Sequence, residues 1–125
     1  MMVNADGNNE KELYWVAGCK RTLGDFPEEV QNIILSALLM AQKGDKHPDA
    51  KPLKGFHGAS VLEVVVPFDT NAYRAVYTTK VKEAIYVLDI FQKKSKSGIA
   101  TPKKEIDLIK KRLAQVERHH KGKSR

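Results

Sequence analysis

Residues 61–91 read VLEVVVPFDTNAYRAVYTTKVKEAIYVLDIF, and their pattern decides the fold. Three runs within it, Val61 to Pro67, Tyr73 to Thr79 and Ala84 to Phe91, are rich in the β-branched and aromatic residues that pack well on a pleated surface. The links between them, Phe68 to Ala72 and Lys80 to Glu83, are short and polar. Links of that length join antiparallel neighbours, because a parallel crossover needs about a dozen residues or more. The stretch therefore predicts an antiparallel meander. In its middle strand, alternation puts Arg74 on the face of Val76 and Thr78, opposite Tyr73, Ala75 and Tyr77. An arginine in so apolar a strand needs a partner.

Working outward toward the N-terminus, Gly44 to Ser60 holds Pro48, Pro52, Gly55 and Gly58 and is expected to be an exposed loop. Before it, Asp25-Phe26-Pro27-Glu28-Glu29 reads as a helix start, with Asp25 and Glu28 spaced as a capping box. Val30, Ile33, Ile34, Ala37, Leu38 and Ala41 follow on one apolar face, and Gly44 ends the helix. Leu13 to Ala17 suits an N-terminal strand, with Cys19 an inert small residue in or after it. Residues 1–10 are a polar leader expected to be disordered. Toward the C-terminus, Gln92 to Gly98 is a basic connection, and Thr101-Pro102 supplies an N-cap and a first-turn proline for a second helix. Ile106, Ile109, Leu113 and Val116 line one stripe of it, while Lys103, Lys104, Lys110, Lys111, Arg112 and Arg118 crowd elsewhere. The sum is an α+β single domain over residues 11–118. It is a sheet of about four antiparallel strands with the N-terminal helix packed on it and a C-terminal helix, followed by a disordered basic tail at 119–125.

Composition agrees with one globular domain: 125 residues, 42% apolar and 30% charged. No apolar run approaches the roughly 20 residues of a membrane span. The start of the chain lacks the features of a signal peptide, and the single cysteine excludes an internal disulfide, so a reducing cytoplasm is the expected compartment. The net charge of +7 is unevenly placed, since residues 91–125 carry 12 Lys/Arg against three acids. A basic C-terminal third points to a polyanion or an acidic protein partner, or else to a solvated helix face and tail.

Five strings in order carry a family resemblance: Lys51-Pro52-Leu53-Lys54-Gly55-Phe56, Leu62-Glu63-Val64, Tyr73-Arg74-Ala75-Val76-Tyr77, Tyr86 to Ser95, and Thr101-Pro102-Lys103-Lys104-Glu105-Ile106. Over about Leu13 to Leu113 the chain resembles the phage-related HigB-like (Gp49-like) branch of the RelE/ParE toxin superfamily. That resemblance implies a twisted antiparallel sheet with helices on it. It also implies the toxin of a type II toxin–antitoxin module, with a cognate helix-turn-helix antitoxin as partner in a hetero-oligomer. For HigB- and RelE-like members the implied activity is endonucleolytic cleavage of messenger RNA on the ribosome, which inhibits translation. ParE-like relatives instead poison DNA gyrase without hydrolysis, so the fold alone does not settle function. A third reading is a basic module that only docks an antitoxin or nucleic acid.

Cleaving RNA without a metal requires deprotonating the 2′-hydroxyl, neutralising the phosphorane and protonating the leaving oxygen, tasks suited to cationic side chains. The catalytic candidates are Arg74, Lys93, Lys94 and Asp89, and the RNA-binding candidates are Lys54, Phe91, Lys96, Lys103 and Lys104. Arg74 matches the family's active arginine and would clamp phosphate; the alternative is a structural pair with Glu63 or Asp89. Lys93 and Lys94 follow the last predicted strand, where they would neutralise phosphate or stay solvated. Phe91 would stack on a base or belong to the core. Asp89 would act as a base or hold Arg74. His57 is a further candidate base. Relatives often read Glu-Leu-Arg where this chain has Glu63-Val64-Val65, and often a histidine before phenylalanine where it has Asp89-Ile90. Both differences remove possible catalytic groups. No metal or cofactor is called for: a phosphate-binding glycine loop, a nucleophile triad and metal-spaced ligands are missing from the sequence, and His119-His120 is a pair in the basic tail.

Overall fold

A computed structural model describes residues 10–57, 60–93 and 101–123. The elements are β1 (Glu12–Trp15), α1 (Cys19–Gly24), α2 (Glu28–Gln42), β2 (Ala50–Pro52), β3 (Val61–Phe68), β4 (Asn71–Thr78), β5 (Ala84–Lys93) and α3 (Lys103–Lys123). They form a five-stranded mixed sheet in the order β1-β5-β4-β3-β2 with helices on both faces. The predicted meander is its centre, as β3, β4 and β5 pair antiparallel. The expected N-terminal strand is present as β1, but its parallel pairing and the strand β2 were not anticipated. Inside the expected loop, Ala50 to Pro52 pairs with β3, and β1 lies parallel to β5, because the chain crosses the sheet through α1 and α2 before returning at the opposite edge. The β3–β4 link is a two-residue hairpin in which Asp69 takes φ 56°, a left-handed position that aspartate tolerates better than most residues.

The helix ends show where local signals were outvoted. The capping box does not form: Asp25 closes α1, and Pro27 occupies the N-cap position of α2. At the other end of α2, Gly44 at φ 87° donates to the Ala41 carbonyl and Asp45 to the Met40 carbonyl, the paired bonds of a Schellman stop. The helix α3 continues to Lys123, past the point where the basic tail was expected to begin.

Each face of the sheet has its own cluster. Leu62, Val64, Tyr73, Ala75, Tyr77, Ile85 and Val87 pack against Val30, Ile34, Ala37 and Leu38 of α2. Burying Ile34 or Leu38 in this way is worth about 1.5–3 kcal/mol each. Ile33, expected on the same helix face, lies at its rim and is 37% exposed. On the opposite face Val61, Val76, Tyr86 and Leu88 pack with Ile109 and Val116 of α3 and with Leu53, and Phe56 joins them from the loop after β2.

Candidate functional site

The α3 side of the sheet is where the charged candidates meet. Val65, Arg74 and Phe91 form one row across β3, β4 and β5, and Glu63, Val76 and Asp89 form the next. A bulge sets the second row. Val76 pairs with Asp89 while Tyr77 pairs with Val87, so Leu88 is an extra residue in β5. Leu88 packs on the α3 side, and Asp89 also meets α3. Strict alternation through Leu88 would have turned Asp89 toward α2.

Arg74 is buried, with 3% of its surface exposed. Its Nη1 lies 3.4 Å from each carboxylate oxygen of Glu63 and 3.4 Å from the Thr101 hydroxyl. Thr101 in turn donates to Glu63 Oε2 at 2.5 Å. The partner anticipated for Arg74 is therefore Glu63 and not Asp89. Thr101 spends its hydroxyl on this carboxylate, which ties the entrance of α3 to β3 and β4. A carboxylate held by a guanidinium and a hydroxyl occupies the kind of position a phosphate oxygen would take.

Asp89 belongs to a second charged group. Its Oδ1 lies 3.6 Å from Arg112 Nη1, which also donates to the Leu88 carbonyl at 2.7 Å and to Cys19 Sγ at 3.8 Å. Burial pushes the Asp89 carboxyl up to about 8, helped by the neighbouring Glu105 carboxyl and opposed by Arg112. Asp89 thus lies under α3, where burial favours its protonated form. Burial likewise pushes the Cys19 thiol up to about 11, which suppresses thiolate chemistry.

The lysines lie around the rim of this face. Lys93 does not follow β5 but ends it, pairing with Ala72 two residues beyond Phe91 on the same side, and both Phe91 and Lys93 are half-buried. Lys103 and Lys104 are exposed in the first turn of α3, where Lys103 pairs with Asp107 at 3.2 Å. Lys54 is exposed beside Gly55, whose φ of 98° favours glycine and which packs near Ile106 of α3. His57 is exposed in the same loop. Lys94 and Lys96 lie outside the described residues. Arg74, Phe91 and Lys93 thus share one face, and Lys54, Lys103 and Lys104 border it. Glu105 and Arg112 were missed as site-forming residues. They stand seven apart beside the stripe of Ile109 and Val116, and that spacing was the available signal.

Among the described residues no group of three or more His, Cys, Asp or Glu could hold a metal ion, and no helix is long and apolar enough to cross a membrane. The family described as phage derived protein Gp49-like (DUF891) matches residues 21–114. No curated protein and no solved structure gives a significant match.

Proposed function

The chain belongs to the phage-derived Gp49-like family, a RelE/HigB-like toxin family, and from that premise we propose that it is the toxin of a type II toxin–antitoxin module, a ribosome-dependent messenger RNA endonuclease acting in the cytoplasm. The observation that carries this reading is the row of Arg74 and Phe91 with Lys93 beside it, a buried guanidinium next to an aromatic ring and an amine on one sheet face. The ring can stack on an unpaired base while Lys93 meets the adjoining phosphate. For Arg74 to hold the scissile phosphate, the Glu63 carboxylate must be exchanged for it, an exchange of one oxyanion for another. Lys54, Lys103 and Lys104 supply a positive field at its border. A helix-turn-helix antitoxin would cover this face.

Induced expression should arrest growth, with messages cut inside their reading frames, and co-expression of an adjacent helix-turn-helix gene should restore growth. A second reading has its own support. Val65 stands in the row of Arg74 and Asp89 lies beneath α3, so the face offers little for proton transfer in its resting form. Those features suit a ParE-like toxin that inhibits gyrase by binding. Growth arrest with intact messages and loss of gyrase supercoiling would favour it.

A further inference from the structure

Among the described residues the large apolar side chains left exposed are Ile33, Leu35 and Leu39, and all three stand on α2. Ile33 lies at the rim of the sheet-facing side, whereas Leu35 and Leu39 are one turn apart on the side turned away from Val30, Ile34 and Ala41. The two leucines belong to a longer stripe. Glu28, Asn32, Leu35, Leu39 and Gln42 follow one another at alternating spacings of four and three, the repeat with which one helix meets another along a seam. The first four are exposed, and Gln42 is half-buried with its amide N–H spent on the Lys11 carbonyl at 2.9 Å. Lys43 is exposed at the C-cap, with Lys46 just beyond it, and Glu28 and Glu29 occupy the first turn. The stripe is thus acidic at its start, apolar in its middle and basic at its end.

We propose that this stripe is a homodimer interface, on which α2 of a second copy packs antiparallel about a two-fold axis. In that arrangement Leu35 meets Leu39 of the second copy and Leu39 meets its Leu35. Asn32 meets Gln42, whose side-chain oxygen is left to accept an amide proton. Glu28 arrives at the end that carries Lys43 and Lys46. Parallel packing would instead set Glu28 on Glu28 and Lys43 on Lys43 and align the two helix dipoles, so charge decides the direction. Charge also decides the occupant. It reverses about the middle of the stripe, a pattern that a second copy matches by symmetry alone. The leucine contact is small beside a standard interface and each chain carries a net charge of +7, so the dimer is weak. Because α2 covers the sheet face opposite α3, pairing leaves both candidate sites open, and it is independent of what the α3 side does.

Sedimentation equilibrium on the full chain in about 0.15 M salt reads the pairing directly. Between about 10 µM and about 1 mM the mean mass should rise from 14.1 kDa toward twice that value. Leu39→Glu, at an exposed position, should keep the fold by circular dichroism and hold the chain at the monomer mass. Glu28→Lys and Lys43→Glu should each weaken the dimer by about fivefold or more, and the two changes together in one chain should restore it. That restoration separates a paired stripe from unspecific apolar association. If Leu39→Glu does not fold, the wild-type mass and the charge swap decide the matter. A chain that stays a monomer at about 1 mM, its two leucines left to some other protein, overturns the proposal. So does a dimer indifferent to Leu39→Glu, or one that the double swap fails to restore.

Discussion

The two faces of the sheet are built from different materials. Toward α2 the contact is apolar apart from the Tyr77 hydroxyl, with Tyr77, Ile34 and Leu38 essentially without exposure. Toward α3 the apolar cluster of Val61, Val76, Leu88 and Ile109 is interrupted by two charged groups, Glu63–Arg74–Thr101 and Asp89–Glu105–Arg112. A purely apolar face holds at any pH and needs only shape. A face containing buried charge is stable only while each charge keeps its partner, which makes it conditional and open to exchange with a ligand. The α2 side carries the fold, and the α3 side is where the proposed function is placed.

Breaking the conditional face should give the largest effect. Arg74→Ala leaves the half-buried Glu63 carboxylate with Thr101 as its one partner among the described residues, and chemical denaturation should register a loss of about 3–5 kcal/mol. Replacing both partners, Glu63→Leu with Arg74→Met, should recover most of that stability but no RNA cleavage. On the unconditional face, Leu38→Ala should cost about 2–5 kcal/mol by cavity formation, and by the same amount from acid to alkaline pH. If the Leu38→Ala loss varied with pH as strongly as the α3-side variants do, the contrast between faces would fail.

Asp89 sharpens the comparison further. Folded, it keeps its proton up to about 8, and unfolded it loses it near about 4, so the native state holds one more proton between those values. The associated stability is present at low pH and lost as pH rises toward 8. Urea titrations should show the wild type losing stability relative to Asp89→Asn as pH rises through that window. The smallest effect is expected at the rim. Lys103→Ala removes an exposed ion pair with Asp107 and should change stability by less than about 0.5 kcal/mol. The same change should reduce the salt dependence of RNA binding by about one phosphate contact.

The apolar face was legible in the sequence because period-two and helical patterns both write it directly. Tyr73, Ala75 and Tyr77 alternate, and Val30, Ile34, Ala37 and Leu38 recur on one helix face. Arg74's side of β4 was legible for the same reason. The bulge at Leu88 was not, because Val87-Leu88-Asp89-Ile90 carries no glycine or other local mark of an extra residue. That one residue turned Asp89 from the α2 side to the α3 side, where it meets Arg112. Strand β2 was hidden by Pro52, which an edge strand accommodates where a central one cannot. Thr101 read as a helix cap, yet Glu63, 38 positions earlier, competes for its hydroxyl. Charge partners so distant in sequence are set by tertiary packing and leave no local trace.

The central claim, that the α3 side of the sheet cuts message on the ribosome, is tested most directly by adding purified chain to a reconstituted translation reaction and mapping the new 5′ ends of the transcript. The account predicts cuts in phase with codons, present only with translating ribosomes and weakened by Lys93→Ala in a protein that remains folded. Intact message under those conditions, or cuts indifferent to both the ribosome and Lys93, would contradict it.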